Sequence, residues 1–224
     1  MNKQFLSMSY FKNLIDLLIK AKTKNVSEEI KNSQNLTSLA VYAICVWMIS
    51  YFLIYMIFYL ISYNYYAEIN RGILAKLQSN NVTGLATIIN RYPWNLSYIY
   101  AFFFIWLILI SGLSYALTRA LEETLISFAR HIKVTILASI SAFAPMALLI
   151  PYHSIFATFE NSNLFTLSFS MAFWILILLI SIINSARVFS RLNKLLGLFS
   201  RRPTIIWVFS YFLVLYFFVG LVKN

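Results

Sequence analysis

Five stretches of this chain are apolar over the length of a bilayer, and almost no charge interrupts them. A helix needs roughly 17–25 apolar residues to cross about 30 Å of hydrocarbon. The runs at 38–62, 97–118, 134–151, 164–186 and 204–222 have that length. They predict an all-α, polytopic integral membrane helical bundle of five transmembrane helices. A β-barrel is excluded, because its strands alternate apolar and polar residues, whereas Val41 to Ile61 and Phe173 to Ile183 are continuously apolar. Helices also satisfy their own backbone groups, which lipid cannot do.

Composition enters as a check. Only 11% of the residues are charged, where a soluble domain has roughly 25%. The predicted organisation is a cytosolic amphipathic head over 1–37 and a five-span membrane domain over 38–222. The net charge of +11 points to anionic headgroups and a topology signal rather than nucleic acid. The N-terminus does not resemble a cleavable signal, and the first span serves as the insertion signal. The lone Cys45 lies in that span and reads as packing.

Lys and Arg are unevenly spread. With the N-terminus inside, the head and the loops 119–133 and 187–203 carry 14 of them, against four on the other side. The positive-inside rule therefore predicts N-in, C-out, in a membrane of the bacterial inner type.

Amphipathic segments flank the spans. Phe11, Leu14, Ile15, Leu18 and Ile19 recur at helical spacing, with Lys12 and Lys20 elsewhere on the wheel. This helix lies in the headgroup region or packs on the other cytosolic loops. Residues 119–133 read as an amphipathic connector helix. Its apolar face is Leu121, Leu125, Phe128 and Ile132, with Glu122, Glu123, Arg130 and His131 on others. In 187–203, Arg187, Arg191 and Lys194 share one face, and Val188, Leu192, Leu195, Leu196 and Phe199 fall mainly on another. With Arg201, Arg202, Lys12 and Lys20 they are the expected contacts to anionic headgroups.

The long loop 62–96 shows turn residues at Asn80–Asn81 and Gly84, and helical character over 66–77. Tyr92–Pro93–Trp94 reads as a helix start and interfacial anchor, a ligand site being the other reading. Pro145 should kink the third span by removing a backbone hydrogen bond, and Pro151 closes that span. Ser111, Gly112 and Ser114 form a small-residue patch suited to helix contact. Asn184 should find a partner within the bundle.

No catalytic constellation is legible. All seven acids lie outside the spans, which argues against a proton relay. His131 and His153 fall on opposite sides of the membrane and share no metal. The adjacent Glu122 and Glu123 diverge by about 100° on a helix. No cofactor is expected.

The run Phe128–Ala129–Arg130–His131–Ile132–Lys133, leading to Ala142–Phe143–Ala144–Pro145 and ending at Pro151, resembles the bacterial members of the Yip domain family. These are five-span proteins related to the Rab/Ypt-interacting proteins. The likeness extends over roughly 97–222, with the basic segment 187–202 where that family has a basic loop. The acidic-aromatic-Gly-Pro signature of the eukaryotic branch is absent, and binding of a small GTPase is not carried over. The resemblance implies a helical bundle, a non-enzymatic role and oligomers. The expected function is a membrane scaffold or accessory subunit that meets lipid and other integral membrane proteins, or itself. The alternatives are a permease-like transporter subunit working with a partner and, third, an intramembrane enzyme.

Overall fold

A computed structural model describes residues 8–20, 33–121, 127–156, 164–197 and 202–223. Every regular element among them is a helix: α1 Met8–Lys20, α2 Ser33–Ile61, α3 Tyr63–Ser79, α4 Leu85–Ile89, α5 Leu96–Leu121, α6 Phe128–Met146, α7 Leu149–Phe156, α8 Leu164–Leu195 and α9 Arg202–Lys223. Arg201, Phe199, Glu122, Glu123 and Leu125 lie outside the described residues, as does the side chain of His153.

Four described stretches are long and apolar enough to cross a membrane: Asn35–Ile61, Leu96–Leu121, Phe128–Tyr152 and Ser168–Leu195. The apolar helix α9 is described with its side chains to Phe217 and counts as a shorter one over Arg202–Phe217. The chain is an all-α, multi-pass membrane bundle of four or five spans. The third span is α6, a two-residue turn and α7 together.

The chain divides into two compact units. The first joins Met1–Trp47, Ile105–Pro145 and Leu178–Asn224. Its centre is α6, on which His131, Val134, Thr135 and all residues from Leu137 to Phe143 are buried. Its small and hydroxyl-bearing residues, among them Ala138, Ser139, Ser141 and Ala142, suit a helix interface rather than lipid. Lipid tails are as apolar as leucine, so such helices associate by shape and by internal hydrogen bonds. The shape here is aromatic. Trp106 meets Tyr211 at 4.6 Å and Phe143 at 6.1 Å between ring centroids, and Phe189 stacks on Trp207 at 5.3 Å.

The second unit joins Met48–Phe104 and Met146–Ile177. The Asn80–Asn81 turn and Gly84 close α3 as expected, with Asn81 at φ 55° and Gly84 at φ 70°. Both lie in the left-handed region that Asn and Gly tolerate best. Tyr92 stacks on Tyr55 at 6.1 Å and lies 4.5 Å from Tyr66. The Asn70 amide holds the Tyr92 backbone twice: Tyr92 N–H donates to Oδ1 at 2.8 Å, and Nδ2 donates to the Tyr92 carbonyl at 2.9 Å.

Several expectations need correction. The segment 119–133 is not one connector helix: α5 runs on to Leu121, and α6 already begins at Phe128. Leu121 and Phe128, expected on its apolar face, are exposed, while His131 is buried. Of the expected head 1–37, the described helix α1 takes the packed reading. Leu14, Leu17 and Leu18 of α1 are buried, and α1 belongs to the first unit. Gly112 faces outward with open space where a Cβ would stand, while its neighbour Ser111 turns inward. Cys45 is exposed rather than packed. Pro145 is the penultimate residue of α6, and the helix breaks within the third span just after it, at Ala147–Leu148. Pro151 is the third residue of α7, where a missing N–H costs no helix bond. The helix after Pro93 begins only at Leu96.

Candidate functional site

Two features of the first unit carry polar chemistry. One is a basic rim. Arg187, Arg191 and Lys194 are all exposed on α8, while Val188, Phe189 and Leu192 between them are fully buried. The i, i+4, i+7 spacing thus places the cations on one outward face. Arg202 is exposed at the start of α9, and Lys12 and Lys20 are exposed on α1. Lys20 Nζ pairs with Asp16 Oδ1 at 2.9 Å, one helical turn back. An exposed pair of this kind adds little stability.

The other feature is a polar latch between α1, α6 and α8. The last carbonyls of a helix have no partner inside it. The Leu18 carbonyl, in the last turn of α1, accepts from Ser141 Oγ at 2.6 Å and from Asn184 Nδ2 at 2.7 Å. Asn184 Nδ2 also donates to Ser141 Oγ at 2.7 Å. Ser141 is four residues before Pro145, so its own carbonyl is the one deprived of a helix donor. Asn184 Nδ2 approaches that carbonyl at 3.4 Å, a long contact by hydrogen-bond standards. One amide therefore serves the orphaned carbonyl at the end of α1 and lies beside the one that Pro145 deprives, as lipid-embedded backbone requires. Lys20 and Arg187 lie two and three residues from this latch, so it brings the basic ends of α1 and α8 together.

Deeper in the same unit, Ser114 Oγ donates to the Ile110 carbonyl at 2.5 Å and meets His131 Nε2 at 2.8 Å. The hydroxyl proton is committed to Ile110, so Nε2 carries the proton in the second contact. Thr135 and Ser139 follow His131 at four-residue spacing. Their hydroxyls, and that of Ser111, are buried and meet no hydrogen-bond partner.

A third feature was not singled out by sequence. Leu121 of α5 and Arg202, Ile205 and Ile206 of α9 line an open apolar groove of about 280 Å³. In the second unit, burial together with the neighbouring Tyr66 pushes the Tyr92 phenol above its ordinary value of 10.0. Burial likewise raises Tyr65. Tyr92 is thus built into an aromatic stack, and the adjacent Trp94 is 60% exposed.

Ser141, the burial of His131 and the meeting of Leu121, Ile205 and Ile206 beside Arg202 are what sequence reasoning missed. The signal for Ser141 was present, since it stands four residues before an intramembrane proline. No protein family, curated protein or solved structure matches this chain.

Proposed function

We propose that this chain is a non-catalytic membrane scaffold or accessory subunit that binds anionic lipid and joins other integral membrane proteins or itself. The carrying observation is the outward row Arg187, Arg191 and Lys194, backed by fully buried Val188 and Leu192. Cations held on a rigid apolar helix end meet headgroups without costly rearrangement, each contributing on the order of 1 kcal/mol. The charge count supports a bacterial inner membrane with the N-terminus cytoplasmic and the C-terminus outside. The resemblance to bacterial Yip-domain proteins points the same way. For protein partners, α5 offers Gly112, Ala116 and Ala120, all exposed and four residues apart. That spacing permits close approach of a second helix.

The test is lipid enrichment around the protein reconstituted with mixed anionic and zwitterionic lipid. Changing Arg187, Arg191 and Lys194 to Gln should lower the anionic share severalfold and leave insertion intact. An unchanged share would mean that these charges serve topology alone.

A permease-like subunit is the second reading. Its support is the buried, unpartnered hydroxyls of Ser111, Thr135 and Ser139, which a polar cargo would satisfy.

A further inference from the structure

We propose that the groove between α5 and α9 seats one anionic phospholipid, with its phosphate at Arg202 and an acyl chain along Leu121, Ile205 and Ile206. This deepens the lipid-binding reading above and rests on it. The groove has two chemically distinct ends. Its walls are a leucine and two isoleucines, and the charged group is a guanidinium one helical turn from both isoleucines. A soluble anion would use the guanidinium and leave the walls bare. An apolar metabolite would use the walls and gain nothing from the guanidinium. An anionic phospholipid matches both. The volume of about 280 Å³ lies below the roughly 300–1,000 Å³ of pockets that enclose a whole small molecule. It suits part of one chain, held from one side.

The surface beyond the groove continues the same track. Ile205, Phe209, Phe212 and Tyr216 follow Arg202 along one side of α9, and all are exposed. A chain leaving the groove therefore runs over apolar side chains for the length of the helix. Further along, Trp106 of α5 and Tyr211 of α9 are packed and fully buried, their rings 4.6 Å apart. They close the seam between the two helices, so the opening belongs to the Arg202 end. Arg202 has five N–H donors in a fixed fork, which takes a phosphate in bidentate fashion and leaves donors for other contacts.

The full-length protein, in mild detergent with equal phosphatidylglycerol and phosphatidylcholine, is weighed intact by mass spectrometry and its retained lipids are counted. A single phosphatidylglycerol should stay bound per chain. Arg202→Gln should lower its occupancy about fivefold, the factor that one cation contributes near a headgroup. Leu121→Trp, which fills the groove from an exposed position, should lower it at least as far. Arg202→Lys should restore most of the binding. The triple Gln variant of Arg187, Arg191 and Lys194 should keep this lipid while losing the looser enrichment. Equal retention of phosphatidylcholine would overturn the site, as would displacement by inorganic phosphate. So would unchanged occupancy in folded Arg202→Gln and Leu121→Trp. If the triple variant still loses its enrichment in that last case, only the groove fails. If it does not, the lipid-binding reading fails too.

Discussion

Asn184 is a single amide that answers for three helices. Its Nδ2 and the Ser141 hydroxyl supply the donors for the Leu18 carbonyl. Losing one hydrogen bond to a carbonyl that keeps its other donor costs about 0.5–1.5 kcal/mol. Asn184→Ala and Ser141→Ala should each lower the unfolding free energy in mixed detergent by about that amount. The double variant should cost more than the two together, because only then does the Leu18 carbonyl lose both donors. Additive losses would show that the two contacts are independent. Tyr92 offers a test by pH. Its folded pKa is raised above the ordinary 10.0 by burial and by Tyr66. The phenol's contribution to stability is therefore full below pH 10 and is lost as pH rises through the folded value. Tyr92→Phe should flatten that alkaline fall, measured by thermal unfolding across the range. At this scale the sequence was informative for Asn184, whose polarity inside a span demanded a partner. It was misleading for His131 and Cys45. Helical spacing says which residues share a face. It does not say which face turns inward when lipid and core are both apolar.

Helix α1 shows how an element is fixed by more than its own pattern. Its amphipathic wheel allowed it to float in the headgroups or to pack on protein. Buried Leu14, Leu17 and Leu18, with the latch at Leu18, place it against the bundle. Phe11 and Ile19 remain exposed. Burying a leucine from water contributes about 1.5–3 kcal/mol, so the three leucines anchor α1 more strongly than the latch alone. Amides of α1 should be protected from hydrogen exchange, and Leu17→Ala should release them while the spans stay protected. Rapid exchange of α1 in the unaltered protein would contradict its docking. The α6–α7 break is the other element-level device. Pro145→Ala supplies the missing N–H to the Ser141 carbonyl and should extend α6 past Met146. Under the scaffold reading, partner association survives this change. A folded, assembled Pro145→Ala protein that loses transport of a polar cargo would favour the permease reading instead. The sequence placed Pro145 in a span correctly, yet could not see that α6 ends one residue later.

For the whole molecule, the length of the apolar runs was enough to give the class and the approximate span boundaries. The helices overran the expected ends, which were 118 for the helix that runs to Leu121 and 186 for the one that runs to Leu195. Polar termini belong to a helix even where hydropathy stops. The candidate site was legible only in its cations. Arg187, Arg191 and Lys194 follow from spacing, whereas the groove needs two helices distant in sequence to meet. The proposed lipid chemistry also requires that the ends of α1, α8 and α9 bearing Lys12, Lys20, Arg187, Arg191, Lys194 and Arg202 face one leaflet. Single cysteines in a Cys45→Ser background, labelled by a reagent that cannot cross the membrane, test this directly. Positions 12, 119 and 191 should label only from the cytosolic side, and positions 94 and 158 only from the outside. Labelling of 158 from the cytosol, or of 191 from outside, would contradict the arrangement and the lipid-binding account with it.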